Sequence, residues 1–571
     1  MTKMSGAQAV VEALKRQKVE AIFGIIGGAL LPVYDVLHET PEIRHILARH
    51  EQCAAHAADG YARASGRPGV CMATSGPGAT NLVTGIANAY MDSSPVIAFT
   101  GQVNAFAVNS SYMIGKDAFQ EADIIGITTP ITKYNYQPKK ATDIPKTVKQ
   151  AFHIATTGRP GTVLIDLPKD VQTEIAEMKF TDSVKIRGYK PKTDPHPLQV
   201  KKAVELLFNA ERPIILAGGG VIVSNASPEL LAIAELLMAP VITPLMGKGC
   251  FPENHPLSLG NLGMHGTRAA TKLILEADVL LAVGTRFSDR TTGKLDEFCP
   301  DAKIIHIDID TAEIGKNVDV DIPIVADAKK ALKEIYKYLT KKLQKKESSQ
   351  WFKRVQEVKD QLKDKVSGGE KDLKPPRLIK ELRKILPNDA IVTTEVGQNQ
   401  MWAALYFAAY KPRTFISSGG LGTMGFGFPA SIGAKVACPD RPVVDIAGDG
   451  SFRMTEQELG SSVKEKIPVT VIVLNNSMLG MVAQWQRLFY DRRYSAVELG
   501  STPDFVKLAE AYGAQGTRVF SLKEFSRAVR KAIKSDVTTV IDVPIPPEEN
   551  VFPMIPAGAG LKGIVESEEE L

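Results

Sequence analysis

Short β-rich apolar runs alternate with longer helical patterns along the whole chain. GVCMA, PVIAFTG, TVLIDLP, PIILAGGG, VLLAVGT, KIIHIDID, PVVDIA and VTVIVLNN are such runs. Alternation of this kind marks βαβ units, and strands this apolar read as buried on both faces. The pattern predicts an α/β protein of mainly parallel sheets flanked by helices. With 571 residues, at about 100–200 residues per domain, roughly three to five domains are expected.

Two breaks divide the chain. YKPKTDPHP, from Tyr189 to Pro197, is rich in Pro and Lys. The stretch from Lys341 to Pro376 is highly charged and ends in Gly-Gly and Pro-Pro, which reads as a solvated helix plus a linker. The expected layout is one domain over 1–185, a second over 190–345, a charged helix and linker over 346–376, and a third over 377–571. A faint repeat links the outer two. The segments beginning at Pro68 and Arg441 both run apolar strand, glycine turn, helix, Pro, apolar strand. The first and third domains are therefore expected to share a topology, with a different domain between them. The acidic tail VESEEEL is expected to fray.

Composition narrows the partners. The apolar and charged fractions, 44% and 23%, are those of globular proteins. A net charge of +5 is small for this length and argues against nucleic acid as a main partner. Five scattered cysteines without a C-x-x-C fit free thiols in a reducing compartment. No apolar run approaches the ~20 residues a membrane helix needs, and the first ten residues lack a signal-peptide core. A cytoplasmic protein is expected.

Two glycine motifs compete for attention. GLGTMG, Gly420 to Gly425, matches G-x-G-x-x-G. The residue twenty on, Asp440, lies in a Cys-Pro-Asp-Arg-Pro turn, where it is ill-placed to bind a ribose. The bland reading, glycines that permit close packing, is preferred. VVDIAGDGSF and VTVIVLNN are more specific. Asp449 and Asn476 each follow an apolar strand, and a hard cation such as Mg²⁺ wants oxygen ligands from one or two side chains plus phosphate. Gly450 and Ser451 would open a helix whose N–H groups suit a phosphate. Asp449 and Asn476 are read as one Mg²⁺–diphosphate clamp, against the plainer alternative of an Asp-Gly turn and an Asn cap.

The stretch ARHEQCAAHAADGYARASG begins at Ala48. His50-Glu51 and His56 suggest a zinc metalloprotease helix, but that motif needs histidines four apart, and here they are six apart. With GDG…NN, the stretch resembles the cofactor-activating segment of thiamine diphosphate enzymes. The resemblance covers about residues 4 to 560 and is closest to the catalytic subunits of the acetohydroxyacid (acetolactate) synthases. It rests on RHEQ, TSGPGATNL, DAFQE, TTGRPGTVLIDLPKDVQ, PLMGKG, LGMHGT, TRFSDRTTGK, HIDIDTAEIGKN, VGQNQMW, SSGGLGTMGFGFPA, GDGSFRM, LNNSMLGMVAQW and PMIPAG taken together.

The resemblance implies three cofactors: thiamine diphosphate, Mg²⁺ and FAD. It implies that Glu51 hydrogen-bonds the aminopyrimidine of thiamine diphosphate and drives formation of the reactive carbanion. It gives Mg²⁺ to Asp449, Asn476 and the carbonyl of Met478. It gives the diphosphate to Gln398 and Asn399, with Gly448, Gly450, Ser451 and Met481 around the cofactor, and the aminopyrimidine to the peptide groups of Gly422 and Met424. For FAD it implies Arg159, Gly219, Leu245, Met246, Leu262, Gly263, Met264, His265, Gly284, Arg286, Phe287, Ser288, Asp308, Ile309, Asp327 and Ala328. The glycines would let the backbone approach a pyrophosphate, and Asp308 would reach a ribose or adenine.

The activity implied is decarboxylation of pyruvate and transfer of the hydroxyethyl group to a second 2-oxoacid, pyruvate or 2-oxobutyrate. Arg290 would hold the second carboxylate bidentately, or simply pair with Asp289. Trp485, Met264 and Phe119 would shape the second pocket, with Gln120 and Gly28 near the reacting centre. Glu51 and Asp449 would come from different subunits, so a homodimer or homotetramer is expected, with a small regulatory subunit as a possible partner. A sibling thiamine diphosphate reaction and a silent homologue acting as a binding partner remain open. Several positions depart from the family pattern: Ile26, Cys53, Asn104, Lys116, Ser288, Asn399 and an extra stretch from about Ala105 to Tyr112. The extra stretch and Lys116 are expected to alter access to the pocket.

Overall fold

The computed structural model describes residues 2–106, 114–344, 348–362 and 368–571. The extra stretch is therefore described only at Ala105 and Phe106. Both donate backbone N–H groups to the Asp170 carboxylate, at 2.9 and 3.0 Å.

The first sheet contains β1 (Ala21–Gly24), β2 (Arg44–Leu47), β3 (Gly69–Ala73), β4 (Val96–Gln102), β5 (Tyr134–Tyr136) and β6 (Val163–Pro168). They lie in the order β2-β1-β3-β4-β6-β5, every pair parallel. The second contains β7 (Pro213–Ala217), β8 (Val241–Thr243), β9 (Ser258–Asn261), β10 (Val279–Val283), β11 (Lys303–Asp308) and β12 (Ile322–Val325), ordered β9-β8-β7-β10-β11-β12. The third contains β13 (Ile391–Thr394), β14 (Phe415–Ser417), β15 (Val443–Gly448), β16 (Thr470–Asn475), β17 (Gln515–Arg518) and β18 (Thr539–Pro544), ordered β14-β13-β15-β16-β18-β17. These two sheets are parallel throughout as well. A short antiparallel pair, Thr2–Ser5 with Ile175–Met178, closes the first domain.

Counted from its own first strand, the first sheet runs 2-1-3-4-6-5, and so does the third. The repeat read from the sequence is thus a shared topology. The middle sheet runs 3-2-1-4-5-6, the doubly wound order in which a dinucleotide binds where the order reverses, between the first and fourth strands.

One core cluster draws residues from both outer domains. Its centre is the crossing of helix Glu51–Ser65 with helix Gly427–Ala437. Small residues let the two backbones touch. A Cβ on Gly433 would overlap the carbonyl oxygen of Ala57, and one on Gly60 would overlap that of Ala430. Both obstacles are backbone and cannot rotate away, so Gly433→Ala is expected to cost about 3 kcal/mol or more, at the top of the overpacking range. A thermal melt of the purified variant checks this.

His56 lies at the same crossing, fully buried, edge-on to Phe426 at 5.4 Å and beside Gln52 at 3.3 Å. Burial pushes its pKa down from 6.5 to about 3, with the Arg63 charge adding to the effect. A histidine held neutral in this way supplies stability that is complete above the unfolded value and is lost as pH falls from about 6.5 toward 3. His56→Gln is expected to flatten the acid limb of the melting-temperature profile, by on the order of 3–5 kcal/mol across that window. Melts of both proteins at stepped pH measure the difference.

Two expectations are corrected. The charged stretch is not only solvated. Helix Gln350–Gln361 buries Trp351, Val355 and Val358 along one stripe against the middle domain, and Trp351 Nε1 donates to the Pro213 carbonyl at 3.1 Å. Its many charges hid the stripe, and two of them help to dock it: Lys359 donates to the Pro256 and Ser258 carbonyls, and Arg354 pairs with Glu276. The acidic tail is also held, by Arg268–Glu566 at 2.8 Å and Arg492–Glu568 at 2.6 Å.

Candidate functional site

Strand β15 ends at Gly448, and Asp449 opens the short helix Asp449–Phe452. The neighbouring strand β16 ends at Asn475, so Asn476 emerges beside Asp449. Asp449 is 1% exposed, and its Oδ2 has no hydrogen-bond partner among the described residues. The Arg453 guanidinium stands 3.9 Å away. Burial pushes the Asp449 carboxyl up to about 6, against the Arg453 charge and the N–H groups of Asp449 and Asn476, which favour the ionised form. A buried carboxylate oxygen with no hydrogen bond, and only a guanidinium at 3.9 Å, is a place for a cation.

The surrounding groups are mutually braced. Asn476 Oδ1 accepts the Met478 N–H at 3.1 Å, and its Nδ2 donates to Gln398 Oε1 at 3.3 Å. Gln398 donates onward to Gln484 Oε1 and the Glu549 carbonyl, at 2.9 and 2.8 Å. Asn399 spends its amide N–H groups on the carbonyls of Glu395 and Ile446, which leaves its Oδ1 toward Gly448. A Cβ on Gly450 would lie 2.7 Å from Leu479 Cδ2 and 3.9 Å from Met424 Cε. Met424 thus belongs to the same cleft.

Sequence reading missed two acids beneath this turn. Glu395 is fully buried and accepts from the N–H groups of Gly425 (2.8 Å) and Phe428 (2.9 Å) and from the Ser451 hydroxyl (2.6 Å). Asp445 accepts from the Thr393 hydroxyl at 2.9 Å. Burial pushes both acids up, and the Glu395 charge raises Asp445 well above the carboxylate range. The available signal was an acid inside or ending each apolar run, IVTTE and VVDIA.

The N-terminal candidates form a separate group. Glu51 begins its helix, is 8% exposed and accepts from Asn81 Nδ2 at 2.9 Å. A Cβ on Gly78 would lie 3.3 Å from Glu51 Oε1, and one on Gly76 would lie 2.8 Å from the Gln120 carbonyl oxygen. The loop carrying Phe119 and Gln120 therefore rests on the turn beside Glu51. Phe119 is 88% exposed, and Gly28 opens onto free space.

Every residue carried over for the flavin except Phe287 lines one cavity of about 990 Å³. Phe287 is a correction: its ring is buried against Phe298 and His306, at 5.9 and 5.0 Å, and so belongs to the core. The cavity opens at the reversal point between β7 and β10. Gly284 there has φ +56°, and a Cβ on it would lie 2.6 Å from Gly220 Cα, so only glycine fits that approach. Asp308, at the end of β11, is pushed up to about 6 by burial. Arg159 is held by Ser93 and Glu313, at 2.8 and 2.7 Å. Arg290 lines the same wall, 60% exposed and paired with Asp289 at 3.1 Å. Gly422, Met481 and Trp485 line it too, whereas Gly28, Glu51, Phe119 and Gln120 do not. The Asp449 cleft does not line it either, so the candidates fall into the cavity wall, the Asp449 cleft and the Glu51 turn.

Models of the thiamine pyrophosphate enzymes match all three parts: the N-terminal TPP binding domain over 4–127, the central domain over 200–335 and the C-terminal TPP binding domain over 395–543. The chain is 54% identical to a probable acetolactate synthase large subunit of Methanocaldococcus jannaschii, over 99% of this chain and 95% of the relative. It is 48% identical to an acetolactate synthase of Mycobacterium bovis, over 98% and 91%, and 43% identical to acetolactate synthase isozyme 3 large subunit of Escherichia coli, over 98% of each. The chain belongs to the acetolactate synthase large-subunit family. Within this thiamine pyrophosphate enzyme family, the two TPP binding matches fall on the outer sheets of shared topology. Glu51 lies in the first match and the Asp449 cleft in the last. No helix among the described residues is long and apolar enough to cross a membrane.

Proposed function

We propose that this chain is an acetolactate synthase, joining pyruvate, after loss of CO₂, to a second 2-oxoacid in branched-chain amino acid biosynthesis. The reading is carried by the buried Asp449 oxygen beside Asn476, which has no hydrogen-bond partner among the described residues, in a chain similar over its whole length to named acetolactate synthases. Thiamine diphosphate, when bound, supplies the carbon nucleophile and the electron sink. Asp449, Asn476 and the Met478 carbonyl hold Mg²⁺, and the backbone N–H groups of Gln398 and Asn399, which open a helix, receive the diphosphate together with those after Gly448. Glu51 holds and exchanges the proton on the aminopyrimidine nitrogen, shielded from water by its burial. Arg290 receives the second carboxylate; its exposed guanidinium is free to trade Asp289 for a substrate. Trp485 covers that pocket, and Phe119, exposed and away from it in one chain, closes it from the second chain of a dimer.

FAD suits the middle cavity, on the doubly wound strand order, the glycine approach at Gly284 and the buried acid at Asp308. Glu51 bonds Asn81 and Asp449 pairs with Arg453, and no hydrogen bond among the described residues joins the two groups, which supports a dimer in which each site takes one group from each chain. Relatives named as large subunits support a small partner subunit.

The test is a pyruvate assay on purified protein with thiamine diphosphate, Mg²⁺ and FAD, each omitted in turn. Acetolactate that depends on all three is expected. Acetaldehyde or acetate as the main product would overturn the synthase reading, and full activity without flavin would overturn the FAD site.

A further inference from the structure

The loop between β14 and helix Gly427–Ala437 carries Gly422 and Met424, and it is anchored from outside its own domain. Asp92 caps the C-terminal end of helix Val83–Met91 in the first domain, and its side chain is fully buried. Its Oδ1 accepts the Gly420 N–H at 2.7 Å, and its Oδ2 accepts the Gly419 N–H at 3.2 Å. Oδ2 also meets Arg63 Nη2 at 2.6 Å. Arg63 lies on the helix that Glu51 begins, and its Nη1 donates to the Ser417 carbonyl at 2.6 Å. Behind it, Asp59 accepts from Arg63 at 2.8 and 3.2 Å and from Asn88 at 2.9 Å. On the other side, a Cβ on Gly419 would meet the Met246 thioether of the middle domain. The loop is gripped at 417–420 from the first domain, and beyond the tip at Thr423 by Ser418 and Asn88 and at Gly425 by Glu395, whereas Gly422 is exposed, with φ +70° and nothing within 4 Å of a Cβ built on it.

A loop tip with free space around it takes its position from its base. Asp92 supplies the charged contacts to the first two glycines of that base, and charge-assisted hydrogen bonds in a buried site are the strong ones. We propose that Asp92 is a positioning residue for thiamine diphosphate: by fixing Gly419 and Gly420 it aims the peptide groups of Gly422 and Met424 at the cofactor. This rests on the reading that those peptide groups meet the aminopyrimidine. Asp92 lines the middle cavity with its carboxylate fully buried, and acts on thiamine diphosphate through the loop.

The test compares two isosteric changes in one buried cluster. Asp92→Asn weakens the anchor of the loop. Asp59→Asn disturbs the same arginine and bonds no loop atom; it reaches the loop only through Asn88, whose Oδ1 accepts from the Ser418 and Thr423 hydroxyls and whose own bond to position 59 an asparagine oxygen can keep. Calorimetric titration of each purified protein with thiamine diphosphate in excess Mg²⁺ gives Kd, and a thermal melt gives stability. Both variants are expected to melt earlier than wild type. Asp92→Asn should raise Kd about ten- to hundredfold, and Asp59→Asn should leave it within about threefold of wild type. An unchanged Kd in Asp92→Asn, or an equal rise in Asp59→Asn, overturns the proposal, because a merely structural role moves the two together. Absence of binding by wild type would instead sink the cofactor reading beneath it. If Asp92→Asn does not fold, Gly420→Ala interrogates the same contact, since its Cβ would lie 2.8 Å from Asp92 Oδ1. A Kd unchanged there overturns the proposal equally.

Discussion

Glu51→Gln is expected to keep the fold and the affinity for thiamine diphosphate while lowering turnover by about 10²–10⁴-fold. The side chain is 8% exposed and, among the described residues, receives one hydrogen bond, from Asn81 to Oε2. Glutamine has the same shape and keeps an oxygen for Asn81, so packing and that contact survive. It cannot exchange a proton at the operating pH, which is the one property the proposed role requires. The measurement is acetolactate formed per binding site, alongside a calorimetric titration of the cofactor. Turnover within about threefold of wild type would remove Glu51 from the proton relay. Turnover and affinity falling together would make it a binding group only.

The fold was legible because parallel sheets write themselves as apolar runs between helices. The repeat that announced matched outer domains was visible in two segments, Pro68 onward and Arg441 onward, and both sheets carry one strand order. Asp449 and Asn476 were legible for a related reason: each follows an apolar strand, and neighbouring parallel strands bring such ends together. Glu395, Asp445, Asp59 and Asp92 were not. Their roles depend on which donors the folded chain brings to them, from residues as distant as Asp92 and Gly420, and no local pattern records that. Phe287 shows the opposite error. It lies among cavity residues in sequence, but it stands in the loop after β10 with a left-handed backbone, φ +49°, and its ring turns into the core. Helix Gln350–Gln361 was read by its charge, although three apolar positions sufficed to dock it.

Asp449→Ala is expected to separate stability from function. In the absence of metal, the Asp449 carboxyl has a folded-state pKa raised from 3.8 to about 6. For an acid raised in this way, the contribution to stability is most favourable below the unfolded value and falls as pH rises through about 6. Near neutral pH the buried charge costs up to about 3 kcal/mol, so the apo variant should melt no lower than apo wild type. Retention of Mg²⁺ and thiamine diphosphate should fall together, by about 100-fold or more, because losing a direct ligand costs at least what a supporting contact does. Wild-type binding of both would sink the clamp. Mixing this variant with Glu51→Gln, after dissociation and reassembly, then tests which chain supplies which half. If each site takes Glu51 from one chain and Asp449 from the other, a random dimer population regains about a quarter of its sites, since one site of every mixed dimer is intact. If both halves come from one chain, no site is intact, and no activity returns.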